Sequence, residues 1–221
     1  PKEAKGRSPV RDAKEKQRRL RIFDRQAATY DRNRDKGFLA DWRRRLLAHA
    51  RGHVMEAAVG TGANFPYYPQ GVERVTAVDF SGEMLKYARR AAERWNLDCS
   101  FIEADLEEID FPPGSFDCIV STLSLCAYAR PERMLRRMNR WCRPGGQILL
   151  LEHGLASHPL VRFLQHAADP VNLRVAGCHL NRDIDGLFAA SGLRVIEQDR
   201  RWLGAIRLIR AEPGPLPPDS F

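Results

Sequence analysis

Two glycines and one acidic residue in the first half of the chain have the types and the order of a nucleoside-binding site. Gly60 and Gly62 follow an apolar run, and glycine lets the backbone turn with positive φ and approach a ligand closely. A second, β-branched run ends at Asp79. In open α/β sheets, ligands bind beyond the carboxyl ends of strands, and an acid at the second strand end suits the hydroxyl groups of a ribose. The pattern indicates a nucleoside-bearing cofactor.

The residues around these glycines argue against two other kinds of nucleotide site. A dinucleotide-binding loop needs a third glycine where this chain has Phe65, and a phosphate-binding P-loop needs a Lys-Ser/Thr pair that does not follow the glycines. Taken singly, Gly60 and Gly62 also suit a simple turn, and Asp79 suits a helix N-cap without a ligand. Taken together, they favour a cofactor without a polyphosphate.

These residues and several later segments resemble the motifs of class I S-adenosylmethionine-dependent methyltransferases. The segments are 54–66, 75–85, 103–106, 111–122 and 143–153. The resemblance covers most of residues 24–210 and implies that S-adenosylmethionine is the cofactor. It implies that Glu56 helps to hold the methionine amino group, that Asp79 binds the ribose and that Asp105 accepts from the adenine amino group. The residues expected to bind the cofactor are Tyr30, Glu56, Ala58, Gly60, Gly62, Asn64, Asp79, Phe80, Met84, Asp105, Leu106 and Thr122.

Two groups within this family share further segments with the chain, and they differ in their acceptors. Residues 23–42 resemble the quinone-biosynthesis C-methyltransferases. Segments 60–69, 121–126, 152–154 and 177–182 resemble the alkyl-thiol S-methyltransferases and their bacterial relatives, some described as phospholipid N-methyltransferases. The resemblances imply a small, lipophilic acceptor and leave a thiol, an amine and a quinol open. His153 is the candidate base if the acceptor must lose a proton, with a structural hydrogen-bonding role as its alternative.

Alternating strand and helix patterns must position these residues. Strands are expected near 53–58, 74–79, 98–103, 116–122 and 146–152, and helices near 81–95 and 130–141. Segments 191–197 and 202–210 read as two further strands, which the resemblance places in an antiparallel hairpin. The fold class is therefore α/β, with a doubly wound, seven-stranded, mostly parallel sheet and an antiparallel C-terminal hairpin.

The chain is expected to contain a single methyltransferase domain, residues 12–211, between a flexible basic arm (1–11) and a disordered, proline-rich tail (212–221). An N-terminal helical lid (12–50) is expected to contain helices at 12–25 and 38–50, with Tyr30 between them. An insertion at 155–181 is expected to form an acceptor lid. Its apolar helical face suits either a cover over the acceptor or core packing; the residues of that face are Leu160, Val161, Leu164 and Ala168.

The net charge of +8 is concentrated at the N-terminus, since residues 1–51 hold 17 Lys and Arg against 7 Asp and Glu. Such an arm suits the phosphates of a membrane surface or of RNA. It is the basis of an alternative function, a methyltransferase-fold subunit of an RNA-containing or organellar assembly. A solvated helix with ion pairs four residues apart is the simpler explanation of the same charges.

The cysteines and the hydropathy pattern bear on the compartment. The five cysteines are odd in number and form no Cys-x-x-Cys pair, which argues against a disulfide framework and a zinc site. No metal is expected, and an intracellular reducing compartment, cytoplasmic or mitochondrial, is favoured. No run approaches the roughly 20 apolar residues of a membrane span. Association with a membrane surface and the prior removal of a targeting segment stay open, and the sequence gives no oligomeric state.

Overall fold

The structure, a computed structural model, describes residues 9–33 and 39–215 and has an alternating α/β architecture. Its strands are β1 (Gly52–Ala57), β2 (Val72–Asp79), β3 (Cys99–Glu103), β4 (Phe116–Thr122), β5 (Cys142–His153), β6 (Arg194–Arg201) and β7 (Ile206–Glu212). Its α-helices are α1 (Pro9–Asn33), α2 (Leu39–Leu47), α3 (Gly82–Arg94), α4 (Pro131–Trp141), α5 (Pro159–Val175) and α6 (Ile184–Ala189). A short 3₁₀ helix, Phe65–Tyr67, follows the glycine loop.

The seven strands form one sheet with the order β3-β2-β1-β4-β5-β7-β6. All pairs of neighbouring strands within β1 to β5 are parallel. Strand β7 runs antiparallel to both β5 and β6. The predicted fold class, including the antiparallel hairpin, is confirmed. The strand order reverses between β1 and β4, and this is the position where open α/β sheets bind their ligands.

Apolar side chains on both faces of the sheet fix the direction of the strand ends. On one face, Ile119 of β4 and Leu150 of β5 pack against Met134 of α4, and all three are fully buried. On the other face, Val120 and Leu149 belong to a second buried cluster, which also includes residues of α2 and α3. Strands buried on both faces have little freedom to shift. The loops after β1, β2 and β4 are therefore held at one edge of the sheet.

Helix α1 is longer than the sequence pattern predicted. It begins at Pro9 and runs without interruption to Asn33, so residues 9–11 of the predicted flexible arm are helical and Tyr30 lies within the helix. Within the predicted part of the helix, Phe23 contacts Phe80 edge to face at 5.6 Å between ring centroids, and Asp24 accepts a hydrogen bond of 2.6 Å from Ser81 Oγ. In the added part, Gln26 donates to the carbonyl of Val175 at 3.3 Å. The rest of the arm, residues 1–8, lies outside the described residues.

Helix α5 differs from its expected role. Leu160 and Leu164 are 61% and 55% exposed, so the predicted apolar face is not packed in the core, and no residue of α5 lines the cavity described below. The helix is held instead by Gln165, which donates to the carbonyl of Gly154 at 2.9 Å. No helix in the described part of the chain has the length and the apolar character needed to cross a membrane.

The predicted tail begins within the sheet. Glu212 is the last residue of β7, and the backbone N–H of Gly214 donates to Asn139 Oδ1 at 3.0 Å. Proline cannot supply the N–H that a strand ladder needs, which is why regular structure ends next to Pro213. Residues 216–221 of the predicted tail lie outside the described residues.

Candidate active site

A cavity of about 440 Å³ lies at the carboxyl edge of the sheet, and residues of α1 and α2 complete its wall. Most of the residues expected from the sequence line it. They are Tyr30, Ala58, Gly60, Asp79, Phe80, Met84, Asp105, Leu106, Thr122 and His153. The structure therefore brings residues from α1, five strand ends and α3 to one cavity.

Three expected residues, Glu56, Gly62 and Asn64, are not part of the cavity wall. Glu56 is buried beneath the glycine loop, where it accepts hydrogen bonds from Tyr68 Oη at 2.6 Å and from Asn64 Nδ2 at 2.9 Å. Burial raises the pKa of Glu56 to about 7, against the effect of these hydrogen bonds. Asn64 also donates to Thr122 Oγ1 at 3.1 Å. Contact between Glu56 and the methionine amino group stays a prediction.

The loop after β1 needs unusual backbone geometry at three positions. Ala58, Gly60 and Gly62 have φ angles of 52°, 56° and 78°. A Cβ on Gly62 would lie 2.8 Å from the ring of Phe65, so this glycine is required for packing, whereas a Cβ on Gly60 would meet nothing within 4 Å. Ala58 adopts the left-handed conformation at a steric cost that glycine would avoid.

Asp79 joins the glycine loop to the end of β2. Its carboxylate accepts from the backbone N–H of Gly60 at 2.8 Å and from that of Ser81 at 2.9 Å. Burial raises the pKa of Asp79 to about 6, although these hydrogen bonds act in the opposite direction. An ionised carboxylate offers about four lone-pair sites. After two backbone contacts, Asp79 can still accept from the hydroxyl groups of a ligand.

Helix α1 is fastened to the far end of the cavity by an ion pair. Lys16 Nζ lies 3.1 Å from Asp105 Oδ2 and 2.6 Å from Glu108 Oε2. Asp105 Oδ1 accepts from the backbone N–H of Glu107 at 2.9 Å. Sequence reasoning did not identify Lys16, because its charge is one of many in a basic helix and only the fold shows which cation reaches Asp105.

Glu152 organises the opposite end of the cavity. It is fully buried in β5 and accepts from Ser121 Oγ at 2.8 Å, from Ser124 N at 3.2 Å and from Leu125 N at 3.1 Å. Burial raises the pKa of Glu152 to about 7, against the effect of these bonds. The residue thus holds the loop after β4 in place, and the next residue, His153, lies on the cavity wall.

Two cysteines lie beside His153 that sequence reasoning did not assign to the site. The side-chain ligand atoms of Cys126, His153 and Cys178 all lie within 4.8 Å of one another. The adjoining Cys126 and His153 lower the pKa of Cys178. Burial acts to lower the pKa of His153, but its contact with Cys178 outweighs burial and the pKa is raised. Spacing along the chain could not show this cluster, although Cys126 follows the strand expected at 116–122 and Cys178 lies in the expected acceptor lid at 155–181.

Comparison with known proteins identifies the class to which this arrangement belongs. A family model described as a methyltransferase domain matches residues 55–150. A phosphatidylethanolamine N-methyltransferase from Cereibacter sphaeroides is 35% identical over 162 residues, which cover 71% of this chain and 78% of that protein. A thiol S-methyltransferase from Homo sapiens is 37% identical over 135 residues, and the matched region covers 59% of this chain and 55% of that protein.

A solved structure shows the same fold. The S-adenosylmethionine-dependent methyltransferase from Mesorhizobium loti superposes with a TM-score of 0.63 at 17% identity, covering 80% of this chain and 99% of that one. The sheet thus has the fold of the class I methyltransferases. The chain belongs to the S-adenosylmethionine-dependent methyltransferase family, and it is an enzyme with S-adenosylmethionine as its cofactor. The predicted family, enzyme class and cofactor are confirmed.

Proposed function

We propose that this enzyme methylates a small, lipophilic acceptor inside the cavity that also holds the cofactor. The observation that carries the proposal is a single cavity that reaches from Asp79 and Asp105 to His153. Phe23, Tyr30 and Leu39, from α1 and the start of α2, add apolar surface to its wall. The names of two relatives, one for phosphatidylethanolamine and one for a thiol, support an acceptor of this kind.

The residues at the strand ends fit the parts of the cofactor. Asp79 has free acceptor capacity for ribose hydroxyls, and the backbone at Gly60 has open space beside it for close approach. In this proposal Asp105 accepts from the adenine amino group, and Met84 and Leu106 border the ring. All three residues line the cavity. When bound, S-adenosylmethionine supplies an electrophilic methyl group. The chain contributes orientation, because its sheet fixes Asp79 and Asp105.

Helix α1 adds the second contribution, which is the exclusion of water. It contributes Phe23 and Tyr30 to the cavity wall, and it is fastened by ion pairing of Lys16 with Asp105 and by the hydrogen bond between Asp24 and Ser81. Alignment of two reactants in a closed site can contribute several kcal/mol to a displacement reaction, on the order of 7 to 11 kcal/mol at most. Docking of the basic arm on RNA or on a membrane stays a prediction, since residues 1–8 lie outside the described residues.

The affinity for S-adenosylhomocysteine should depend on pH through Asp79. Because the pKa of Asp79 is raised to about 6, the carboxyl group becomes protonated as the pH falls through this value and then accepts hydroxyl hydrogen bonds less well. Affinity should be full well above this pKa and fall as the pH drops below it, approaching about tenfold per pH unit if only the ionised form binds. Calorimetric titrations across this range measure the effect. The Asp79→Asn variant should bind S-adenosylhomocysteine more weakly and with little pH dependence. If its affinity instead falls at low pH as in the parent chain, Asp79 is not the group that causes the pH dependence.

Turnover should depend on the length of the acceptor's alkyl chain. Each methylene group that is buried in the cavity contributes about 0.8 kcal/mol, so KM should fall by up to about fourfold per added methylene until the cavity is filled. Mass spectrometry of products from homologous alkyl thiols, amines and quinols gives both the reactive group and the length dependence.

Two variants provide the comparison for this series. Leu39→Ser changes the cavity wall and should raise KM for the longer acceptors, whereas Leu164→Ser changes an exposed residue of α5 and should not. Equal rates with short and long acceptors, or methylation of RNA alone, would contradict the proposed function.

A further inference from the structure

Cys126, His153 and Cys178 bring three metal-binding atoms together on the wall of the cavity. Two thiol sulfurs and one imidazole nitrogen lie within 4.8 Å of one another, and all three residues line the cavity. A tetrahedral zinc ion, with Zn–S of about 2.3 Å and Zn–N of about 2.0 Å, places its ligand atoms roughly 3.5 to 3.8 Å apart. A contraction of about 1 Å in the longest separation is therefore enough to form the coordination geometry.

The segment after α5 holds both cysteines in place. Asn172 Nδ2 donates to the carbonyl of Cys178 at 2.8 Å and lies 3.4 Å from its sulfur. The backbone N–H of His179 donates to the carbonyl of Cys126 at 3.0 Å. The ring of His179 is oriented in turn by Asp169, with 2.9 Å between Nδ1 and Oδ2. Metal ligands are commonly fixed by outer hydrogen bonds of this kind.

Glu152 connects His153, the third residue of the cluster, to the loop that carries Cys126. Its carboxylate accepts from the backbone N–H of Leu125, immediately before Cys126, and it directly precedes His153 in β5. One buried side chain therefore sets the position of two of the three ligand residues. Helix α1 contacts the loop after β4 and the C-terminal end of α5, because Arg19 donates to the carbonyl of Ala127 and Gln26 donates to the carbonyl of Val175.

The chemistry of the three ligand atoms favours zinc. Thiolate and imidazole groups are the ligands that suit zinc, whereas magnesium and calcium need oxygen ligands. Two thiolates and a neutral imidazole also balance the charge of a divalent ion, which lowers the cost of burying it. We propose that Cys126, His153 and Cys178 bind one zinc ion. In this arrangement His153 is a metal ligand, in place of the base that the sequence suggested.

Three protein ligands leave a fourth position, as in catalytic zinc sites, and this position faces the cavity because all three residues line it. Under the proposed function, on which this step rests, an acceptor thiol would bind there as its thiolate. The S–H bond breaks, its electron pair forms the sulfur–zinc bond, and the proton passes to water. The ion would thus hold a soft, deprotonated acceptor at the end of the cavity opposite Asp105.

Cobalt titration tests the site without any measurement of activity. The reduced, metal-free full chain should bind one Co²⁺ ion with the intense absorption of cobalt–thiolate bonds, and Zn²⁺ should abolish that absorption. Cys178→Ser should weaken Co²⁺ binding at least about 100-fold, since loss of an outer partner alone costs about 10- to 100-fold. Cys99→Ser removes another partly exposed thiol, outside the cluster, and should leave binding unchanged.

The spectrum with an added thiol tests the fourth ligand position, and calorimetry tests cofactor binding. Propanethiol should shift the absorption of the cobalt form, and an unchanged spectrum would rule out the open fourth position. No cobalt–thiolate absorption, or an absorption that survives in Cys178→Ser, would overturn the zinc site. Calorimetry with S-adenosylhomocysteine separates this result from the proposed function. A parent chain that shows the cobalt–thiolate absorption but cannot bind that ligand counts against the proposed function alone.

Discussion

Asp79→Ala is expected to weaken the binding of S-adenosylhomocysteine at least about 100-fold. Hydrogen bonds to charged groups contribute about 1.5 to 3 kcal/mol each, and the loss of two ribose hydroxyl contacts therefore costs roughly 3 to 6 kcal/mol, where about 1.4 kcal/mol is tenfold in affinity. Asp79 also anchors the N–H groups of Gly60 and Ser81. Alanine thus removes both the ligand contact and the support of the glycine loop. Isothermal titration calorimetry measures the change.

Two companion variants separate these effects. Asp79→Asn keeps an acceptor oxygen and the shape of the side chain, so its affinity should lie between those of the parent chain and Asp79→Ala. Glu83→Ala removes an exposed carboxylate from the first turn of α3, where it pairs with Lys86, and should leave binding unchanged. If Asp79→Ala binds S-adenosylhomocysteine as tightly as the parent chain while its circular dichroism spectrum is normal, the ribose assignment is wrong.

Glu152→Ala should produce the largest loss of folding stability. The substitution leaves three buried donors, Ser121 Oγ–H and the N–H groups of Ser124 and Leu125, without their acceptor. An unsatisfied buried donor costs about 1 to 3 kcal/mol, so the free energy of unfolding should fall by roughly 3 kcal/mol or more. This is a large share of the free energy of unfolding of a typical domain, which is roughly 5 to 15 kcal/mol. Urea unfolding provides the measurement.

The reactivity of a cysteine shows whether the loss of stability is local to the loop after β4. Cys126 is 2% exposed and directly follows Leu125 in the loop that Glu152 holds, so its thiol should react with a maleimide faster in Glu152→Ala than in the parent chain. Glu152→Gln keeps one acceptor oxygen and should lose less stability. A free energy of unfolding in Glu152→Ala within about 0.5 kcal/mol of the parent value, as for ordinary surface substitutions, would show that this network does not support the loop.

The central sheet was predictable because its signals are local. Proline and glycine precede the apolar runs that became β4 and β5. The bounds of β4 agree with the expected 116–122, whereas β5 begins at Cys142 and so includes Pro144 and the glycines before the apolar run. Asp79 and Gly60 were predictable for the same reason, since strand ends meet at one edge of a parallel sheet. Gly60 and Gly62 could be recognised from their type as residues that need backbone freedom. The same does not hold for the non-glycine residues with positive φ, which are Ala58, Asn96, Leu123, Trp202 and Leu203.

The lids were less predictable because their structure depends on contacts far apart in the chain. The helical pattern weakens after Arg25, yet α1 continues to Asn33, and Gln26 donates to the carbonyl of Val175 at 3.3 Å. The apolar face of α5 is a true periodic pattern, but periodicity cannot show whether such a face is covered, and here Leu164 is exposed.

The cysteine cluster shows the same limit in the site itself. Cys126 and Cys178 belong to different loops, and each is unremarkable in its own segment of the sequence. Only the fold places both beside His153. Glu152 could likewise be recognised as part of a motif, but its three donors come from the loop after β4 and from the end of that strand, so its role as an anchor depends on tertiary structure.

A crystal structure of the complex with S-adenosylhomocysteine tests most directly whether one cavity holds both the cofactor and the acceptor. The ribose hydroxyls are expected within hydrogen-bond distance of Asp79, and adenine beside Asp105. The sulfur atom is expected to be directed toward Cys126, His153 and Cys178, with space for an acceptor between the sulfur atom and these residues. Adenosine bound at another place, or a sulfur atom directed away from this cluster, would contradict the claim that one cavity holds both the cofactor and the acceptor.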